Sequence, residues 1–181
     1  MKKFLKVLVI VACAVALVAG SVAATVAYLT MKTDSIENTF TAGNIKIELT
    51  QDTTLDTSKM VPGQAYTVDA KVTVKANSES CWLFIKIEQP DNFDTFMNYA
   101  IADGWTLLEE GVYYREVAAA AADAPFNVIK DNTITADPTC TKEQYNELNG
   151  ASLTLSLTAY AVQRVNFNTA AEAWTEAKKL G

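Results

Sequence analysis

Histidine is absent from the 181 residues. That removes the commonest general base, the commonest zinc ligand and every Ser–His or Cys–His nucleophile pair. Basic residues are also scarce, 15 against 21 acidic ones, for a net charge of −6. Nucleic acid and anionic membrane surfaces both require clustered positive charge, so neither is an expected partner. No internal repeat is visible, and no residue pattern in the chain demands a cofactor.

Long apolar runs are lacking too, with one exception at the start. Lys2, Lys3 and Lys6 precede an uninterrupted apolar or small stretch from Val7 to Ala19, and small residues then dominate Gly20 to Ala27. This is the build of a signal peptide spanning residues 1–27. Cleavage is expected between Ala27 and Tyr28, with Thr25 and Ala27 as the small upstream side chains. Val7 to Ala27 is also long enough to span a bilayer, so an uncleaved anchor is the alternative. The small residues and the lack of a following Lys/Arg cluster favour cleavage by a signal peptidase. Ile10-Val11-Ala12-Cys13 loosely fits a lipoprotein cleavage box, but Cys13 sits inside the apolar run instead of closing it. It reads as an apolar residue of the leader.

Removing residues 1–27 takes three lysines and no acid. Of the 15 basic residues 12 remain against 21 acidic ones, a net charge of −9 over 154 residues. That length suits a single domain, residues 28–181. Cys81 and Cys140 remain. Outside the cell such a pair permits a disulfide, while Cys81 in an apolar strand equally suits a buried free thiol.

Strands dominate the rest. Thr39-Phe40 and Ile45–Thr50 alternate around a turn at Ala42-Gly43-Asn44, and Gln51–Lys59 reads as a loop. Val61-Pro62-Gly63-Gln64 is a turn, because Pro62 presets its own φ and Gly63 accepts a positive one. Tyr66–Lys75 alternates over ten residues and is expected as one strand. Cys81–Glu88 is apolar on both faces at its start, the mark of a central strand. Phe93, Met97 and Ile101 recur every four residues and predict a helix over 91–101. Trp105–Leu108 and Val112–Val117 bracket Glu109-Glu110-Gly111 as a hairpin. Ala118–Ala124 is an alanine-rich loop or short helix, and Phe126–Ile129 a further strand.

Thr141-Lys142-Glu143-Gln144 and Thr169-Ala170-Ala171-Glu172 both match a capping box and announce helices. The second helix gathers Ala170, Ala173, Trp174 and Ala177 on one face, with Lys178 and Lys179 at its C-terminus. Between the helices, Ala151–Val165 is expected as one long strand. It carries Leu153, Leu155, Leu157, Ala159 and Ala161 on one face, and Tyr160 and Val162 on the other. About seven strands against two or three short helices predict a mainly β, antiparallel β-sandwich.

Three stretches carry a resemblance. They are the leader running through Ala27-Tyr28-Leu29-Thr30 into Asn38–Ile47, Trp105 through Val112-Tyr113-Tyr114-Arg115, and Leu157–Gln163 followed by Ala173-Trp174. In this order they resemble the camelysin/TasA family of exported Gram-positive proteins, whose leaders are cut by a SipW-type signal peptidase. The resemblance implies a jelly-roll-like sandwich and a surface or biofilm-matrix role. In fibre-forming relatives it implies a mature N-terminal segment that completes a neighbour's sheet. Residues 28–38 would be that donor strand here, with Leu29 and Met31 on one face. Copies of the chain, or other surface proteins, are then its expected partners. The peptidase activity attached to camelysin is the alternative, although no HExxH occurs.

Candidate sites are few. Asp52 with Asp56, Asp91 with Asp94, and Glu109 with Glu110 offer oxygen ligands for Ca²⁺, but none follows an EF-hand pattern and solvated loop charge is the better account. No Asp/Glu pair stands out for glycoside hydrolysis. Trp105, Tyr113 and Tyr114 suit sugar stacking as well as strand packing, which makes a carbohydrate- or host-protein-binding module the third reading. Tyr113 and Tyr114, being adjacent, face opposite sides of a sheet, so one is expected inside and the other at a partner contact. The balance is a non-enzymatic structural protein without metal or cofactor.

Overall fold

Alternation of apolar and polar residues is the local pattern that antiparallel strands satisfy, and it organises most of this chain. The computed structural model describes residues 45–52, 54–55, 60–148 and 153–179. The leader, the Ala27–Tyr28 cleavage site, the segment carrying Leu29 and Met31, and the Thr39-Phe40 strand lie outside the described residues. In chain order the strands are β1 (Ile47–Asp52), β2 (Thr54–Leu55), β3 (Ala65–Thr67), β4 (Asp69–Val74), β5 (Cys81–Glu88) and β6 (Met97–Asn98). They continue with β7 (Thr106–Glu109), β8 (Val112–Val117), β9 (Ala124–Asn127), β10 (Thr133–Ala136), β11 (Leu153–Thr154) and β12 (Ser156–Gln163). The helices among the described residues are α1 (Phe93–Phe96), α2 (Lys142–Glu147) and α3 (Ala170–Ala177).

All pairings are antiparallel. One main sheet runs β1–β4–β9 and the other β12–β5–β8–β7, with a smaller sheet β3–β10–β6 and a β11–β2 ribbon beside them. The main sheets face each other across one apolar core. Ile47, Leu49, Ala70, Val72 and Val74 enter it from the first, and Leu83, Ile85, Leu157, Ala159 and Ala161 from the second. The chain is thus a mainly β, sandwich-like domain with a few short helices. Among the described residues no helix is long and apolar enough to cross a membrane.

The second sheet is covered on its other face as well. Trp82, Phe84, Val112 and Val162 point outward from the sandwich and meet Ala170, Ala173, Trp174 and Ala177 of α3. Trp174 packs tilted on Phe84 at 5.2 Å between ring centroids and edge-on to Tyr160 at 5.3 Å. Its indole N–H donates to Glu109 Oε1 at 2.7 Å, so the buried ring leaves no donor unpaired. The helix starts on a complete capping box: Glu172 N–H donates to Thr169 Oγ1, and the Glu172 carboxylate accepts from the Thr169 N–H. Thr141 and Gln144 make the same reciprocal pair ahead of α2.

Three expected elements are divided differently. Tyr66–Lys75 is not one strand: it breaks at Val68, whose N–H donates to the Asn132 carbonyl, so β3 joins the small sheet and β4 the first main sheet. The alternation survives the break because Val68, Ala70, Val72 and Val74 all stay buried, and period alone does not reveal a change of partner. Ala151–Val165 splits likewise at Leu155 between β11 and β12. There the Gln51 side chain spans the two main sheets, donating to the Leu155 carbonyl at 2.8 Å and accepting from the Leu157 N–H at 3.1 Å. The expected helix over 91–101 shrinks to the single turn α1. Met97 is extended and pairs with Ala136, so both Phe93 and Met97 are buried by a turn followed by a strand. The hairpin around Glu109-Glu110-Gly111 forms as expected, with a register shift between Leu107 and Glu109.

Two substitutions test this architecture. Trp174→Ala is expected to cost about 3–5 kcal/mol, since it empties the aromatic cluster under α3; chemical denaturation measures it, and a loss under about 1 kcal/mol would contradict the packing described. Gly111 has φ +71°, and a Cβ there would lie 2.8 Å from the Ile87 carbonyl oxygen. Gly111→Ala should therefore lower stability by at least about 1–3 kcal/mol, the range for a strained left-handed residue, read as a drop in midpoint in the same experiment.

Candidate functional site

The chemistry-bearing residues anticipated from sequence do not converge. Trp105 and Tyr113 line the sandwich side of the second sheet, Tyr114 its α3 side, Asp91 precedes the α1 turn and Asp94 lies within it. Glu109 is held by the last helix, accepting from Trp174 and lying 3.6 Å from Lys178 Nζ. Asp94 accepts from Gln89 Nε2 at 2.9 Å. No group of three His, Cys, Asp or Glu side chains among the described residues has the spacing to hold a metal ion; the Asp52 side chain and Asp56 fall outside the description.

Tyr113 and Tyr114 depart from the expectation that one would be inside and the other free. Both are half-buried: Tyr113 packs on the main core, and Tyr114 meets Trp82 edge-on at 5.9 Å beneath α3. The reason is the helix, which converts the outer face of the sheet into a second interior. Of the two arrangements open for Cys81 and Cys140, the structure has the unbridged one, with both thiols free and buried. Cys81 faces the main core from β5, where burial pushes its thiol up to about 12. Cys140 sits beyond β10 and donates through Sγ to the Thr95 carbonyl at 3.2 Å.

Two arrangements sequence reasoning missed are built with more care. The first is a cleft of about 770 Å³ at the end of β5, where Tyr99, Ile101 and Tyr113 meet Lys86, Glu88, Gln89, Asp94 and Glu110. Its polar lining is already ordered. Tyr99 Oη donates to Gln89 Oε1 at 2.9 Å, Gln89 donates to Asp94, and Lys86 Nζ is 2.7 Å from Glu88. Burial, with smaller contributions from Tyr113 and Asp94, pushes the Tyr99 hydroxyl up to about 12. The cleft therefore keeps its donors protonated through the neutral range, and its volume falls within the span usual for small-molecule sites.

The second surrounds Arg115. Its guanidinium carbon lies 3.9 Å from the Phe126 ring centroid and 5.4 Å from that of Trp105. Trp105 is fixed by its indole N–H, which donates to the Asn127 carbonyl at 2.8 Å and so ties the hairpin to β9 across the open side of the sandwich. Burial lowers the Arg115 pKa from its ordinary value. A signal for this residue exists in the sequence: Tyr113, Arg115 and Val117 share one strand face, and a charge between two apolar neighbours on that face is out of pattern.

For the thiols, intact mass of the purified chain should show Cys81 and Cys140 both reduced, with alkylation slow until denaturant is added because the thiolate is the reactive form. A mass two protons lighter that reductant reverses would restore the bridge. Compared with known proteins, the chain matches no family model, no curated protein and no solved structure.

Proposed function

We propose that this chain is an exported structural protein, a TasA-like surface or matrix subunit that associates with copies of itself head to tail. The observation that carries the reading is the distribution of free surface on the second sheet. Both of its faces are covered, by the opposing sheet and by α3, so association through this sheet falls to its edges. β7 ends the sheet order, with no described strand beyond it, and displays Leu107 at 60% exposure. An edge with unpaired backbone groups and an exposed apolar side chain is a template for an added strand. The segment 28–38, freed by cleavage, supplies that strand: Leu29 and Met31 provide alternate side chains for the apolar face. Donor and acceptor surfaces differ, so the contact is head-to-tail, need not close on itself, and where it does not close it propagates as a filament.

The test compares residues 28–181 with a chain beginning at Asn38, and with Leu107→Lys in the longer chain, by light scattering and electron microscopy. Filaments are expected from the longer chain alone. The Leu107→Lys chain should keep its melting temperature while losing assembly, because a charge on an exposed edge opposes strand addition without touching the core. Equal assembly by all three, or by none, removes the reading.

A second reading has its own observation, the cleft beside Tyr99 and Tyr113. Two tyrosines, an ordered amide and carboxylates without a free cation suit a neutral saccharide better than an anion, because Lys86 is already paired with Glu88. Titration with N-acetylglucosamine oligomers, followed by tyrosine fluorescence, tests it. Tyr113→Ala should abolish any response.

A further inference from the structure

Among the described residues, Arg115 is a charged residue without an internal partner, whereas the other half-buried cations are paired. Lys71 lies 3.5 Å from Asp69, Lys75 is 2.6 Å from Glu48 and 3.0 Å from Asp123, and Lys86 is 2.7 Å from Glu88. Arg115 is also half-buried, yet no carboxylate or carbonyl bonds to it among the described residues, and its Nε–H is buried with no acceptor. The adjacent acid, Glu116, lies on the opposite strand face and is 2.6 Å from Arg164 Nη1, while Asp103, beside Gly104, is 94% exposed and 3.8 Å from Lys130.

The surroundings fix the guanidinium instead of neutralising it. Phe126 stacks at 3.9 Å, the Trp105 ring lies at 5.4 Å, and the hydrogen bond to the Asn127 carbonyl holds that ring. Gly104 lies close against the group: with φ +88°, a Cβ built on it would come within 3.0 Å of Arg115 Nη2, so a side chain there would press on the fork. Of the guanidinium nitrogens only Nε is buried without a partner, which leaves the Nη edge as the side a ligand reaches. A planar donor fork held between aromatic rings is pre-organised for a planar oxyanion, because its entropy is already spent and its aromatic contacts do not use the N–H donors. A plug of this seam needs only an apolar side chain of similar length.

The geometry points to Arg115, framed by Trp105, Phe126 and Gly104, as a binding site for a carboxylate, taken in bidentate fashion by the guanidinium edge. The carboxylate comes either from a small acidic ligand such as a uronic acid, or from an acidic side chain of a second copy of this acidic chain. Both present the same group. The site lies on the sandwich side of β8, on a different surface from the β7 backbone edge, and does not depend on strand addition there.

The Arg115 Nε–H resonance reads the site directly in the wild-type chain, and it is assigned by its disappearance in Arg115→Lys. Glucuronic acid is titrated at constant ionic strength, with glucose as the uncharged control, and the protein is separately diluted without ligand. A saturable shift with glucuronic acid but not glucose identifies a free carboxylate as occupant. A shift that follows protein concentration, matched by sedimentation, identifies a second copy. In Arg115→Lys the response, followed at the Trp105 indole N–H, should weaken about tenfold or more, because a point charge does not reproduce the bidentate fork. Arg115→Met, which keeps the packing, should abolish it. No shift in either arm, or one that sodium chloride reproduces, overturns the proposal and leaves Arg115 as a plug of the seam.

Discussion

Everything in this domain depends on β5 being buried on both faces. Leu83 and Ile85 require an opposing sheet, while Trp82 and Phe84 require something else on the far side. A two-layer sandwich would leave the second pair in water at a cost of about 1.5–3 kcal/mol per large side chain. Helix α3 answers that demand, and the rest of the outer layer follows from it. Trp174 must reach Phe84, its indole N–H must then find Glu109, and Lys178 settles beside the same carboxylate. The hairpin and the C-terminus are thereby committed to each other.

The fold was legible where one residue type dictates one conformation. Gly63 and Gly111 mark turns of positive φ, both capping boxes open helices, and β5 lies within the limits its apolar run sets. The buried face of α3, Ala170, Ala173, Trp174 and Ala177, was also readable, because a spacing of three and four places these residues on one side of a helix. Partner choice was not. Val68 and Leu155 continue an unbroken alternation, yet each stands where a strand leaves one sheet for another. That handover is decided by backbone groups far along the chain, such as the Asn132 carbonyl and the Gln51 amide, which no local pattern encodes.

The same limit governs the site. Strand parity puts Arg115 on the sandwich side, but its lack of a partner among the described residues depends on Glu116 pairing with Arg164 and on Asp103 lying beside Lys130. The cleft is likewise a product of tertiary placement, folding a strand end, the helical turn that follows it and a hairpin loop onto one another. The acidic pairs stood out in sequence because of proximity along the chain. In the fold, Asp94 and Glu109 serve as acceptors for Gln89 and Trp174. Proximity in sequence marks charge; only the fold shows whether that charge already has an occupation.

The pairing of β5 with β12 has a kinetic consequence. Cys81 lies opposite Gln163, and Glu88 opposite Ser156. The inner strand β5 therefore gains β8 as a neighbour early, while β12 lies beyond the β7–β8 hairpin, β9, β10 and α2 in the chain, and α3 follows it. Until β12 pairs, one edge of β5 stays open and its α3 face uncovered, and such long-range pairing slows folding. The same delay leaves Cys81-Trp82-Leu83-Phe84-Ile85 without its full set of partners, and an apolar strand uncovered in this way is open to association with other chains.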